Sequence, residues 1–356
     1  MENWLIINAV IVFVFALTLS SVSVPLVIKL AIKKRLLGEY GEGRHVHKGF
    51  VPRLGGVAIY IGFILSQIYF IISHQGNGYI SQPYLLLVFS SALLFFMGVL
   101  DDLVDLKANL KFCIQLIIGL ILVWQADVRI ESFYGLFGLQ TLPLWFSYLF
   151  STAVIVFFIN AYNLIDGIDS LSSSIGMYVL FCFGCVFLYN NSYLDCIIVF
   201  SVFGALLGFW LYNKPPAKIF MGDSGTLSVG LLIAYCAIRV SNLPIDNQDT
   251  YSPVFAMIVW VYPVIDTLRV FTKRIMKGVS PFTPDRNHIH HLLLDLDYSH
   301  GKATFIIMLF SMVLSILAYI LKSVPTIGFF VTVSLTVIAS FIPGIIIRKK
   351  KAKQQG

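Results

Sequence analysis

Charge is scarce in this chain: Lys, Arg, Asp and Glu supply 12% of 356 residues, against 58% that are hydrophobic. A soluble enzyme with an ordinary polar surface is excluded, and an integral membrane protein remains. No Pro/Ser-rich linker, low-complexity run or clear internal repeat divides the sequence, so it reads as one membrane domain over 1–356. Cysteine is sparse too, and Cys113, Cys182, Cys185, Cys196 and Cys236 all fall in apolar stretches. They read as small packing residues; the CxxC of Cys182 and Cys185 has the wrong surroundings for redox or zinc chemistry.

What the chain has in abundance is long hydrophobic runs. Candidate spans lie near 4–30, 54–73, 84–100, 109–125, 144–160, 171–189, 194–211, 226–240, 253–270, 303–321 and 325–347, each long enough for a bilayer. The expected fold is all-α, a polytopic transmembrane bundle of about eleven helices. Glu2 and Asn3 carry no positive charge, whereas Lys29, Lys33, Lys34 and Arg35 follow the first run. That pattern predicts a retained first helix, with the N-terminus outside and the C-terminus cytoplasmic.

Alternate loops then hold most of the basic residues, from Arg44, Lys48 and Arg53 through Lys107 and Lys111, Lys214 and Lys218, and Arg269 to Lys302, to the tail after Arg348. The opposite loops keep only Arg129, Arg239 and Lys322. The net charge of +7 thus follows from the bias that keeps Lys and Arg cytoplasmic, and nucleic acid is not implied. Gly204 and Gly208 form a GxxxG, read as internal packing rather than a dimer contact.

The remaining polar residues gather in the cytoplasmic loops near 31–53, 101–109, 160–170, 212–225 and 271–302. Acids at a lipid boundary are costly, which favours function over decoration. In GVLDDLVDLKANLK, Asp105 lies three or four residues beyond Asp101 and Asp102, a spacing that puts acids on one helix face. Such a pair suits a divalent metal, or one acid acting as base beside another that holds charge.

In NAYNLIDGIDSL, Asn160, Asn163, Asp166 and Asp169 recur every three residues, and a continued helix would align them to read a nucleotide. In YNKPPAKIFMGDSGTL, Asn213 opens a loop, Phe220 can stack on a planar base, and Asp223 stands at a helix start suited to phosphate or magnesium. In SPFTPDRNHIHHLLLD, Arg286, His288, His290 and His291 suggest phosphate contacts. A zinc site is the rival there, without a clear fourth ligand. The loop RHVHKGFVPRLGG adds His45, His47, Lys48 and Arg53 before Gly55 and Gly56, a further candidate phosphate contact. Asp266, three residues before Arg269, reads as a structural ion pair lining the cavity.

Taken in order from Arg44 to His291, these motifs resemble the bacterial polyprenyl-phosphate N-acetylhexosamine-1-phosphate transferases, relatives of peptidoglycan translocase I. The PDRNHIHH form is similar to the branch that uses UDP-N-acetylglucosamine or a related aminosugar. Ser170 departs from the pattern, which often has Gly after the second Asp of DGxD.

The resemblance implies a multi-pass enzyme of the bacterial cytoplasmic (inner) membrane. It would move GlcNAc-1-phosphate from a UDP-sugar to undecaprenyl phosphate, release UMP, and start a lipid-linked cell-surface glycan such as O-antigen or another lipopolysaccharide component. It implies Asp101, Asp102, Asp166, Asp169 and Asp223 as catalytic acids. Asp223 and Asp102 would hold Mg2+, for which Mn2+ could substitute. Arg53, Lys111, Asn160, Asn163, Asn213, Phe220, Arg286, His288, His290 and His291 would bind substrate. A homodimer is left open. The alternatives are a family member using a different UDP-aminosugar and a secondary transporter, although a transporter would place its polar groups near the midplane rather than at one rim.

Overall fold

The computed structural model describes residues 2–34, 51–74, 80–246, 253–280 and 286–355. Arg44, His45, His47 and Lys48 lie outside them. The described chain is a helix bundle, as lipid demands of backbone that must satisfy its own hydrogen bonds. In order it contains α1 (Glu2–Lys33), α2 (Gly55–Ser73), α3 (Gln82–Val104), α4 (Ala108–Gln125), α5 (Leu144–Leu164), α6 (Leu171–Tyr189) and α7 (Tyr193–Asn213). Then follow α8 (Gly222–Ser241), α9 (Pro253–Val259), α10 (Val261–Met276), α11 (Ile289–Leu294), α12 (His300–Ile320) and α13 (Pro325–Gln355).

Ten described helices are long and apolar enough to cross a membrane, and an eleventh crossing arises only if α9 and α10 count as one. Those two are bent by 73°, so the run over 253–270 forms two helices rather than one. The break at Trp260 has a local cause. Pro263 has no N–H to give the carbonyl of Val259, and its ring disfavours helical backbone at the residue before it.

Successive crossings place the ends of α1, α3, α5, α7 and α10 and the starts of α2, α4, α6, α8 and α12 at one rim. The central helix is α8, buried along almost its whole length and packed by α2, α3, α5 and α6. Glycine permits that crowding. A Cβ on Gly56 would lie 2.0 Å from the Gly225 nitrogen, and one on Gly98 would lie 2.4 Å from the Asp223 carbonyl oxygen. Gly55 and Gly56 therefore act as packing contacts, and their N–H groups donate to the carbonyls of Phe220 and Met221. Gly204 and Gly208 meet the backbone of α1 at Phe13 and Leu17, internal packing as expected. All five cysteines are free.

Candidate active site

The end of α3 and the start of α8 meet over Gly98, and there the two adjacent acids of α3 part company. Asp102 turns to α8, accepting hydrogen bonds from the Asp223 N–H at 2.8 Å and the Ser224 N–H at 3.0 Å. The helix terminus that looked ready for phosphate already holds a carboxylate from its own chain, which satisfies the orphan donors and meets the positive dipole end. Asp101 instead accepts from the Leu106 N–H at 2.7 Å and from Lys111 Nζ at 2.7 Å. The same ammonium reaches Asp223 Oδ2 at 3.4 Å, so Lys111 joins α3, α4 and α8 at one point. Asp105, expected to share a helix face with Asp101 or Asp102, instead ends α3 in the left-handed region, with φ 52°, and is exposed.

The polar stripe after α5 also diverges, because the helix stops at Leu164 and 165–170 are turns. Asn163 donates to Asp223 Oδ1 at 3.0 Å and to Thr226 Oγ1 at 2.7 Å, and so supports the acid from the side opposite Lys111. Asn160 bonds Gln115 of α4 at 2.6 Å. Asp166 accepts from Ser172 Oγ and the Gly222 N–H, within the field of Arg53. Asp169 is a strut: its carboxylate takes the Ala217 N–H at 3.1 Å and faces His300 Nδ1 at 3.2 Å.

Asn213 is likewise consumed by scaffold, accepting from Ser170 N–H and Ser173 Oγ and donating to the Ile219 carbonyl. It and Asp169 pin the 214–221 loop, on which Phe220 is half-buried; the Phe220 N–H is held by the Pro52 carbonyl. Arg53, one residue on, is exposed.

The histidine motif lies against the same rim. Arg286 is exposed, His288 and His290 are buried, and His291 is half-buried. A Cβ on Gly167 would meet His290 Nε2 at 2.3 Å, so this glycine lets the ring close onto the loop that carries Asp166. Tyr262 OH sits 3.2 Å from His290 Nδ1. Asp266 forms the expected pair with Arg269 at 2.8 Å and also takes His288 Nδ1 at 2.8 Å.

Burial sets the protonation of the loop groups. It pushes the Asp166 carboxyl up to about 6, against the Ser172 and Gly222 hydrogen bonds that favour the anion. It holds His290 well below the usual imidazole range, and lowers His291 to about 4 with help from the Arg286 charge. Unliganded, both rings are neutral at pH 7.

Residues 84–241, from α3 through α8, match the model of glycosyl transferase family 4. A Bacillus subtilis protein named "probable undecaprenyl-phosphate N-acetylglucosaminyl 1-phosphate transferase" is 30% identical over 89% of this chain and 86% of its own length. The chain belongs to that family. An undecaprenyl-phosphate alpha-N-acetylglucosaminyl 1-phosphate transferase of Yersinia pestis is 26% identical over 98% of this chain and 93% of its own. A decaprenyl-phosphate N-acetylglucosaminephosphotransferase of Mycolicibacterium smegmatis is 31% identical over 76% and 71%. This is the family that the motifs resemble, and membership removes the transporter reading.

The side chains that converge at this rim offer carboxylate oxygens, the donor type a hard cation such as Mg2+ takes. Among the described residues no group of three or more His, Cys, Asp or Glu side chains is gathered closely enough to hold a metal ion by itself. Asp101 Oδ2 and Asp223 Oδ2 instead share one cation, Lys111. One or two carboxylates completed by water and phosphate oxygens is how Mg2+ is commonly held.

Sequence reasoning missed Ser172, Thr226, Tyr262 and His300. Thr226 lies within a quoted motif and Ser172 directly follows one, but Tyr262 and His300 are far from their partners in the chain and carry no local signal.

Proposed function

We propose that this chain transfers GlcNAc-1-phosphate from UDP-GlcNAc to undecaprenyl phosphate, releasing UMP and starting a lipid-linked cell-surface glycan. The observation that carries the reading is the convergence of Asp101, Lys111 and Asp223 at the ends of three membrane helices, with Asn163 and Asp102 holding Asp223 in place. An acceptor whose tail stays in lipid can bring its phosphate to such a rim, and the relatives' names specify a polyprenyl phosphate and an N-acetylglucosaminyl 1-phosphate. One phosphoanhydride replaces another, so the chain's task is to position two anions and offset their repulsion.

Asp101 and Asp223 would hold Mg2+, which supplies charge neutralisation to the diphosphate. Asp102, expected as a metal ligand, acts in this proposal by fixing the helix that carries Asp223. Lys111 balances the acids and would meet the lipid phosphate. Arg53, Arg286 and the histidines flank the donor, and Asp166 orients the start of α8 through Gly222. The basic residues at this rim support a cytoplasmic active site in the bacterial inner membrane.

The test is purified protein in nanodiscs with Mg2+, offered a panel of UDP-sugars with and without undecaprenyl phosphate. UMP release that needs the lipid and is greatest with UDP-GlcNAc is the expected result. UMP release that is indifferent to the lipid would overturn the assignment.

A further inference from the structure

Asp266 is wholly buried, as is most of Arg269, and the pair is usually enough to explain itself. Here it grips three consecutive residues of the histidine motif. Arg269 donates to the Asn287 carbonyl at 2.5 Å, His288 Nδ1 lies 2.8 Å from Asp266 Oδ2, and the Ile289 N–H donates to Asp266 Oδ1 at 2.9 Å. A carboxylate can only accept, so His288 must carry a proton on Nδ1. In the singly protonated ring the other nitrogen, Nε2, then presents a lone pair.

The neighbouring ring is set differently. His290 stacks nearly parallel on His288, with centroids 5.5 Å apart, but its Nδ1 faces the Tyr262 hydroxyl and its Nε2 abuts Gly167. Through Gly167 and Asp166 this array adjoins the start of α8.

We propose that Asp266 is a positioning residue for the donor: it fixes His288 in the Nδ1–H form, so that Nε2 accepts a hydrogen bond from a hydroxyl or amide N–H of the sugar nucleotide. This rests on the reading of the site as a sugar-nucleotide transferase. A bare lone pair repels phosphate oxygens, so His288 recognises a donor group of the ligand and the phosphate contacts fall to Lys and Arg. An ion pair kept only for stability would leave donor affinity untouched.

Two measurements test this, one of them independent of turnover. Nitrogen NMR of 15N-histidine-labelled protein at neutral pH, with His288→Gln for assignment, should show wild-type His288 protonated at Nδ1; a ring protonated at Nε2 overturns the proposal. Asp266→Asn, whose amide can donate to Nδ1 and reverse the tautomer, should raise the KM for the UDP-sugar about tenfold and leave that for the lipid phosphate unchanged. A fall in kcat with both KM values unchanged overturns it. Failure of every UDP-sugar to react would defeat the transferase reading and leave the tautomer measurement standing.

Discussion

Asp102 accepts the backbone N–H of Asp223 across 2.8 Å, so one acid of the site holds up the helix that presents another. Asp102→Ala should leave two N–H groups at the start of α8 without their acceptor, at about 1–3 kcal/mol each where they stay dry. A lower melting temperature and faster hydrogen exchange over 222–226 are expected. Asp101→Ala, which removes side-chain contacts to Leu106, Lys111 and Asp223 but no acceptor of an α8 backbone N–H, should leave exchange at α8 much less changed. Equal exchange in the two variants would remove the distinction between the acids.

Lys111 competes with any cation for Asp101 Oδ2 and Asp223 Oδ2. Lys111→Met should therefore tighten the apparent Mg2+ requirement roughly tenfold, about 1.4 kcal/mol, while lowering turnover about a hundredfold. A Mg2+ titration of the initial rate reads both numbers. Chelation should abolish activity in both proteins, with Mn2+ restoring it.

Close helix approach at the rim is a matter of missing methyl groups. Gly56→Ala and Gly98→Ala each place a Cβ within 2.5 Å of the α8 backbone, and overpacking of this kind costs about 1–3 kcal/mol or more. Both should lower the melting temperature in detergent and displace Asp223 enough to reduce the rate. Gly344→Ala, with nothing within 4 Å of its Cβ, is the control and should change neither.

The raised pKa of Asp166, about 6, has opposite consequences for rate and stability. Folded protein binds this proton more tightly than unfolded protein does. Its stabilising contribution is complete below the ordinary value of 3.8 and is lost as pH rises through about 6. Activity should run the other way, falling on the acid side with an apparent midpoint near 6 as the anion facing Gly222 and Arg53 is neutralised. Asp166→Asn should be slow and lack that limb; an unchanged limb would assign it elsewhere.

Much of this was legible in the sequence because lipid simplifies the problem. A run of apolar residues becomes a helix, and the polar loops between alternate runs share a rim. Asp101, Lys111, Asn163 and Asp223 converge as their motifs suggested. The division of labour was not legible. Neighbours in sequence, Asp101 and Asp102, differ because one faces Lys111 and the other a helix terminus that arrives from over a hundred residues away. Asn213 and Asp169 also hydrogen-bond across a loop, to partners that no local pattern names.

The broken ninth span had a visible cause in Pro263, within an apolar run long enough to hide it. Ser170, which stands where the family often has Gly, adopts φ +64°, the region where Gly is least strained. The local backbone thus keeps the shape that glycine would favour.

The most direct measurement follows the two phosphorus atoms of the donor. With UDP-GlcNAc labelled at the β-phosphorus, the label should move into the lipid, whereas label at the α-phosphorus should leave as UMP, and both transfers should vanish in Asp223→Asn. Both labels recovered together as UDP would mean that the sugar moves without its phosphate, and would contradict the phosphate exchange assigned to Asp101, Lys111 and Asp223.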